Sequence, residues 1–226
     1  MDSVIISPEQ CLGLDEHALC DWGGHRLHAA IVDDWQALCD AAAAADFELA
    51  IASAHRSFSR QLSIWNGKVR GERAVLDADG RPIDLALLSS VEQVFAILRW
   101  SALPGGSRHH WGSDLDIYDR AALPPGNRLQ LTSDEVERGG PFYSFHCWLD
   151  QRIAGGDAFD FYRPYRGQSA VAEERWHISH RVTAERYSQQ LSRDVLYNFL
   201  SAQSDLLLRV EVLDNFDKIF SDYIVA

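Results

Sequence analysis

Residues 107–116 and 174–177 combine the side-chain types that bind metal ions and transfer protons. The first segment reads SRHHWGSDLD and places His109 seven residues before Asp116, with Gly112 between them. Imidazole and carboxylate groups are both ligands of Zn²⁺ in proteins. A glycine lets the backbone turn, so that both side chains could face one point. The spacing is compatible with a metal site and also with ordinary polar residues of a core or surface.

The second segment reads ERWH and places Glu174 three residues before His177. These side chains would share one face of a helix or turn. In a straight strand they would point to opposite faces, so we predict a bend near Trp176. A catalytic zinc site needs three protein ligands and an open position, together with a base that takes a proton from water. A glutamate beside a ligand histidine supplies such a base, although the helical pattern H-E-x-x-H is absent from the sequence.

A third segment, residues 54–57 (AHRS), places Arg56 at the end of a predicted strand, with Gln61 following it. One interpretation is a surface salt bridge, which contributes little to stability. The other is a cation that faces the site, where it would stabilise an oxyanion or pair with a substrate carboxylate. The segment on its own is compatible with both.

Together these segments resemble a known family. The run S-x-H-x-x-G-x-x-x-D, the downstream E-x-W-H and the upstream R-S-x-x-x-Q are similar to the motifs of the LAS-type metallopeptidases. That family includes D-alanyl-D-alanine carboxypeptidases, vancomycin-resistance dipeptidases, L,D-carboxypeptidases and some phage endolysins. The resemblance extends over roughly residues 50–180. It implies an α+β fold of the hedgehog/DD-peptidase type, in which helices flank a small antiparallel sheet and one Zn²⁺ per chain lies in a surface groove.

The resemblance also implies a role for each matching residue. The implied metal ligands are His109, Asp116 and His177. The implied general base is Glu174, and Arg56 is the implied cation that stabilises the reacting carbonyl. The residues implied to bind substrate are Ser107, Gln61, Arg56 and Trp176.

Some positions depart from the family pattern. His55 stands where a tyrosine is usual, Asp114 where a small residue is common, and His180 where arginine or tyrosine is frequent. Asp114 lies two residues from Asp116, so it could tune the metal, bind substrate or itself be a ligand. His110 is the second choice as a ligand, because the Ser-x-His register selects His109.

The activity that the resemblance implies is hydrolysis of peptidoglycan stem peptides. We predict a zinc-dependent L,D-carboxypeptidase that releases terminal D-Ala from a tetrapeptide stem during cell-wall recycling. A D,D-carboxypeptidase or D-Ala-D-Ala dipeptidase of the same family is the nearest alternative. A zinc-bearing binding module without turnover is an alternative of another class, but such a module would not need the base Glu174.

Composition restricts the partners and the location. The net charge of -12 repels phosphate backbones and anionic membranes. The N-terminus lacks a basic segment followed by an apolar stretch, and no run reaches the roughly 18 apolar residues of a membrane span. We therefore predict a cytoplasmic protein whose partner is a muropeptide, with no nucleic acid or membrane partner. The four cysteines form no C-x-x-C pair, which predicts free, mostly buried thiols. The oligomeric state is left open.

Hydrophobic periodicity predicts the elements that must position the site. We expect one domain, residues 1–226, with its motif-bearing core at about 50–180 and C-terminal helices at about 182–222. The predicted helices are 27–46, 83–101, 182–200 and 203–220, and a turn at Asp79-Gly80 precedes the second. The predicted strands are 48–54 (buried), 114–118 (half-buried, with one polar face) and 175–179. Residues 120–141 are rich in Pro, Gly and charge and predict a long loop.

Overall fold

The alternating residues 114–119, DLDIYD, form a central strand of the main sheet in the computed structural model, which describes residues 6–224. The strands are β1 (Leu19–Trp22), β2 (His25–His28), β3 (Leu49–Ser53), β4 (Val75–Leu76), β5 (Pro82–Ile83), β6 (Asp114–Asp119), β7 (Phe161–Tyr162) and β8 (His177–His180). The helices are α1 (Pro8–Cys11), α2 (Val32–Ala43), α3 (Phe58–Val69), α4 (Ser90–Leu98), α5 (Ser133–Val136), α6 (Tyr143–Gly155), α7 (Arg181–Gln190), α8 (Arg193–Ser201), α9 (Arg209–Asp214) and α10 (Phe216–Ile219).

The main sheet has four antiparallel strands in the order β3-β6-β8-β7. Its register pairs Asp116 of β6 with His177 of β8 on one side and with Ser53 of β3 on the other. The pairing of β3 shifts between Ile51 and Ser53, and such an irregularity re-aims the chain that follows it. The sheet therefore brings three separated sequence segments to one place. This is the predicted α+β fold with a small antiparallel sheet flanked by helices.

Side chains alternate across β6. Leu115 and Ile117 are fully buried in an apolar cluster with Trp35 and Leu38 of α2 and Phe145 of α6. Asp114 and Asp116 consequently share the opposite face of the strand, and they too are buried. The prediction of a half-buried strand was therefore wrong, because both faces of β6 are covered.

The second apolar cluster joins α3 and α4 to the C-terminal helices, with Trp65, Ile97 and Val212 among its fully buried members. Polar contacts also fix this packing, since Trp65 Nε1 donates to the carbonyl of Leu207 at 2.9 Å. The helix α3 that carries Trp65 leads directly from the Arg56 segment, so the C-terminal helices support the element on which that segment is anchored. Within residues 6–224, no helix is both long and apolar enough to cross a bilayer.

All four predicted helices are interrupted in the structure. Helix 27–46 begins only at Val32, because the Gly23-Gly24 turn, with φ of 58° and 87°, folds residues 25–28 back as β2 onto β1. Residues 83–101 contain the end of β5, a 3₁₀ turn at Leu85–Leu87 and α4. Ser89 is the N-cap of α4 and forms a capping box with Glu92, which fixes where this helix begins.

The C-terminal predictions had the right type of element but the wrong number. Residues 182–200 form α7 and α8, which Ser192 separates by capping the second helix. Residues 203–220 contain α9 and α10. The strands at 48–54 and 175–179 are confirmed as β3 and β8, with β3 partly rather than fully buried. The turn at Asp79-Gly80 joins β4 to β5 as predicted.

Two further sequence predictions were correct in part. The loop at 120–141 is confirmed apart from a 3₁₀ turn at Arg120–Ala122 and the short helix α5. All four cysteines are free, but Cys11 is buried whereas Cys20, Cys39 and Cys147 are partly exposed. The helices α3 and α6 were not predicted, although α3 carries part of the site described below.

Gly112, which ends the 3₁₀ turn Arg108–Trp111 before β6, has φ of 67°. An added Cβ would lie 2.5 Å from Leu19 Cδ2 and 2.9 Å from the backbone nitrogen of His28. We expect Gly112→Ala to lower the free energy of unfolding by about 1–2 kcal/mol through left-handed strain and by roughly another 1–3 kcal/mol through overpacking. Urea unfolding followed by circular dichroism measures this loss.

Gly126 provides the matched control for this substitution. Its φ is 81°, but an added Cβ there meets no atom within 4 Å. Gly126→Ala should therefore show the strain cost alone. Equal losses in the two variants would contradict the steric argument for Gly112.

Candidate metal centre and catalytic cleft

The fold gathers His109, Asp116 and His177 into one buried cluster. Their exposed fractions are 5%, 3% and 2%. One ligand atom from each lies within 4.8 Å of the other two. Asp116 Oδ2 is 3.4 Å from His109 Nε2, and Asp116 Oδ1 is 3.2 Å from His177 Nδ1. The carboxylate therefore lies between two imidazole nitrogens.

Hydrogen bonds outside the cluster orient both imidazoles toward it. His109 Nδ1 donates to the carbonyl of Ala54 at 2.8 Å, which leaves Nε2 facing Asp116. His177 Nε2 donates to Asp114 Oδ1 at 3.0 Å, which leaves Nδ1 facing Asp116. Such outer contacts select the tautomer that presents a lone pair to a metal ion.

The donor set fits a divalent cation. Among residues 6–224, His177 Nδ1 is buried without a hydrogen-bond partner, although it faces two carboxylates. A buried polar atom without a partner is costly, and a metal ion at this position would satisfy it. Two imidazoles and one carboxylate form a three-ligand set typical of catalytic Zn²⁺.

The charges around the cluster are strongly coupled. Burial alone would raise the pKa of Asp116, but the neighbouring imidazoles and the Arg56 guanidinium hold it well below its usual range. Burial opposes a charged His177, yet Asp114 and Asp116 outweigh it and raise the pKa of this imidazole to about 9. His177 Nδ1 therefore lies in negative surroundings, which favour a bound cation.

Glu174 enters the cluster through a turn in the backbone. The amide of His177 donates to the carbonyl of Glu174 at 3.0 Å, which confirms the predicted bend near Trp176. The turn brings Glu174 Oε2 to 3.6 Å from His177 Nδ1. Burial raises the pKa of Glu174 to about 7. A carboxyl group with a pKa near neutrality can both accept and return a proton.

Arg56 follows β3 and contacts two residues of the cluster. Its Nη2 donates to Asp116 Oδ2 at 2.9 Å and to His109 Nε2 at 3.0 Å. Its Nε donates to Ser53 Oγ at 3.0 Å. The surface salt-bridge interpretation of Arg56 was therefore wrong, because its partner is a buried carboxylate of the candidate metal centre.

The cluster opens into a cleft of 450 Å³ whose wall includes Arg56, Ser107, Glu174 and Trp176. Ser107 Oγ is buried and has no hydrogen-bond partner in the part of the chain that the structure describes, so it is available to a bound molecule. Gln61 is fully buried, and its side-chain amide contacts Arg56 and the carbonyl of Ala102. The contact of Gln61 with substrate stays a prediction. In the structure, Gln61 Oε1 accepts a hydrogen bond from Arg56 Nη1.

Comparison with known proteins shows the family of this chain. A family model described as VanY, D-alanyl-D-alanine carboxypeptidase, matches residues 24–183. The chain belongs to this family. Two proteins of Haemophilus influenzae, both described as uncharacterized, are also similar. One is 36% identical over 126 residues, or 54% of this chain and 93% of that protein. The other is 40% identical over 103 residues, or 43% of this chain and 70% of that protein.

Solved structures of VanY proteins share the fold. VanYB in complex with D-alanine-D-alanine superposes with a TM-score of 0.52 at 22% identity, covering 82% of this chain and 89% of that one. A VanY D,D-pentapeptidase mutant in complex with Zn(II) gives a TM-score of 0.51 at 23% identity, covering 80% and 88%. The predicted fold is confirmed, and the prediction of a zinc-dependent peptidase is confirmed at the level of the VanY family.

The three histidines left open by the sequence lie outside the metal cluster of this VanY family member. His110 donates from Nδ1 to the carbonyl of Arg56 and accepts at Nε2 from the amide of Gly105, so it cannot replace His109 as a ligand. His180 caps α7 and contacts Asp34 at 3.0 Å. His55 is not part of the cleft wall.

Sequence reasoning missed other parts of the cleft wall. Lys68 of α3 lines the cleft. It lies seven residues after Gln61, a spacing that places both side chains on one helix face, so helical periodicity could have indicated Lys68 as a cleft residue. Tyr165 packs its ring 4.9 Å from that of His177. Residues 130–132 of the long loop also line the cleft, held by backbone hydrogen bonds to the Glu135 carboxylate. No local pattern indicates that this loop folds over the site.

Proposed function

We propose that this VanY family member is a zinc-dependent carboxypeptidase that releases terminal D-Ala from peptidoglycan stem peptides. One observation carries the proposal. The buried cluster of His109, Asp116 and His177 lies in a cleft with a carboxylate of raised pKa, Glu174, 3.6 Å from His177 Nδ1. A metal-binding module would need the three ligands, whereas peptide hydrolysis also needs the proton-transfer group.

The residues that would hold Zn²⁺ are His109 through Nε2, Asp116, and His177 through Nδ1. When bound, Zn²⁺ supplies a Lewis acid for the scissile carbonyl and makes water a stronger nucleophile at neutral pH. Glu174 accepts the proton from the attacking water and returns it to the leaving amine. Arg56 donates hydrogen bonds toward the oxygen on which negative charge develops. Ser107 Oγ is free to orient the peptide.

The cleft also suits a substrate that ends in a carboxylate. Arg56 and Lys68 both line it. Among the described residues, the Lys68 ammonium has no hydrogen bond and no ion pair. Burial lowers the pKa of Lys68 to about 8, so its ammonium is still charged at neutral pH. Two cations beside the catalytic groups favour a peptide with a free C-terminus over an internal bond.

Hydrolysis at either of two peptide bonds would release terminal D-Ala from a stem peptide. D,D cleavage of a pentapeptide stem is supported by the description of the family that the chain matches. L,D cleavage of a tetrapeptide stem, as part of muropeptide recycling in the cytoplasm, is the proposal that follows from the sequence. Both reactions release D-Ala, and they differ in the chirality of the residue before the cut.

Mass spectrometry of zinc-loaded protein incubated with a disaccharide-tetrapeptide or a disaccharide-pentapeptide tests the proposal. We expect loss of one alanine from one of the two. Loss from the pentapeptide alone establishes D,D cleavage, and loss from the tetrapeptide alone establishes L,D cleavage. C-terminally amidated forms of both peptides should be poor substrates, because the cations then lack their partner. Tight Zn²⁺ binding with no cleavage of any peptide would overturn the proposal in favour of a binding module.

A further inference from the structure

We propose that Asp114 is a positioning residue that holds the ligand histidine His177 in the orientation required for metal binding. The inference deepens the proposed function and rests on its metal centre. Asp114 is fully buried in β6, on the same face of the strand as Asp116. The sequence left open whether it tunes the metal, binds substrate or is itself a ligand.

The contacts of Asp114 separate these possibilities. Its Oδ1 accepts from His177 Nε2, the nitrogen that points away from the metal cluster, at 3.0 Å. His177 Nδ1 instead faces Asp116 Oδ1 at 3.2 Å. Asp114 does not belong to the cluster of candidate ligands and does not line the cleft. It therefore acts on the metal through the imidazole, without touching metal or substrate.

A second set of contacts fixes the carboxylate itself. Arg108 Nε donates to Oδ1 of Asp114 at 2.8 Å. The hydroxyls of Ser113 and Ser179 each donate to Oδ2 at 3.0 Å. With His177 Nε2, four donors surround two oxygens. A buried carboxylate is retained in its charged form when its lone pairs are satisfied in this way.

The network is anchored on neighbouring strands. Arg108 Nη2 donates to the hydroxyl of Tyr162 on β7 at 2.9 Å and to Ser179 Oγ on β8 at 2.7 Å. The arginine that neutralises Asp114 is thereby held by the same sheet that carries His177. A rigid carboxylate on the far nitrogen of a ligand histidine fixes the ring and makes its other nitrogen a better donor to a metal.

Three variants test the inference by metal affinity and not by activity alone. Asp114→Ala removes the acceptor, and Asp114→Asn keeps a weaker, neutral one. Ser113→Ala is the matched control, because it removes one donor to the same carboxylate without touching His177. Zn²⁺ dissociation constants come from competition with a chromophoric chelator. Loss of a contact of this kind weakens metal affinity by about 10–100-fold, so we expect that fall for Ala, a smaller one for Asn and less than twofold for the serine variant.

A spectroscopic measurement separates positioning from a general loss of stability. In ¹⁵N-histidine NMR of the zinc-loaded chain, the Nε2–H proton of His177 should be protected from solvent exchange in the wild type and in Ser113→Ala. Protection should be lost in Asp114→Ala. Circular dichroism in excess chelator checks that each variant folds. If the alanine variant does not fold, the inference is tested by the Zn²⁺ affinity of the asparagine variant and by the protection of the His177 Nε2–H in the wild type.

The outcomes distinguish this inference from the proposed function. If the wild type binds no Zn²⁺, the metal centre itself is refuted, and this inference with it. If the wild type binds Zn²⁺ and folded Asp114→Ala binds it equally well, only the role of Asp114 is overturned. An unprotected Nε2–H in the zinc-loaded wild type would overturn that role without any variant.

Discussion

Replacement of Glu174 by glutamine should reduce kcat for D-Ala release by about 10²–10⁴-fold, the usual contribution of general acid–base catalysis. Glutamine has nearly the same shape, so the turn that brings residue 174 to 3.6 Å from His177 Nδ1 is kept. It can neither accept a proton from water nor return one to the leaving amine. Because the three candidate ligands are unchanged, Zn²⁺ affinity should stay near that of the wild type. Steady-state kinetics and a metal competition titration measure the two quantities.

The neighbouring Glu173 offers the control for this substitution. It is exposed and lies outside the cleft wall, so Glu173→Gln changes the same net charge one residue away. This variant should turn over at the wild-type rate. Full turnover by Glu174→Gln, with zinc bound, would refute the assignment of the base.

The second large effect is expected from Asp116→Asn. This substitution keeps the size of the side chain but removes the charge that lies between His109 Nε2 and His177 Nδ1, at 3.4 and 3.2 Å. Because it alters a ligand directly, Zn²⁺ affinity should fall further than the roughly 10–100-fold expected for an outer contact such as that of Asp114. We expect kcat/KM at limiting Zn²⁺ to fall together with the Zn²⁺ affinity. A competition titration and activity as a function of added Zn²⁺ measure both.

Asp119 is the matched position on the same strand. It is also buried, but its Oδ1 accepts from the backbone amides of Glu48 and Ala121, and Asp119 does not belong to the cluster of candidate ligands. Asp119→Asn should therefore leave Zn²⁺ affinity unchanged, even if it lowers the thermal midpoint. An Asp116→Asn variant that binds Zn²⁺ as tightly as Asp119→Asn would contradict the ligand assignment.

The contrast between what the sequence predicted and what it missed has a physical cause. That His109, Asp116, His177, Glu174 and Arg56 lie together could be predicted, because their spacing forms recognisable motifs around short elements. The break of helix 27–46 at Val32 could not be seen in its apolar periodicity, because the Gly23-Gly24 turn outside that window decides it. The residues that suggested a helix are divided between β2, a 3₁₀ turn at Ala29–Ile31 and α2. Pairing with β1 outweighs helix propensity for the first two of them, Leu27 and His28.

The same limit applies to the cleft. Residues 130–132 reach the site through a loop whose backbone amides donate to the Glu135 carboxylate. In the cleft this loop lies beside positions that are distant in sequence, so no local pattern reports it. Asp114 was visible as a departure from the family, but only its contact with His177 Nε2 tells an orienting carboxylate from a ligand.

The placement of Asp114 and Asp116 on one face of β6, opposite His177 in the pairing with β8, makes metal binding a check on correct folding. Side chains alternate along a strand, so a slip of one residue in this pairing would send both carboxylates into the apolar layer and bring Leu115 and Ile117 toward the histidines. A misregistered chain could therefore neither bury its core nor assemble the ligands. With the metal centre proposed above, Zn²⁺ would bind the native register alone and stabilise it by mass action. The fraction of correctly folded chain should then rise with the Zn²⁺ concentration.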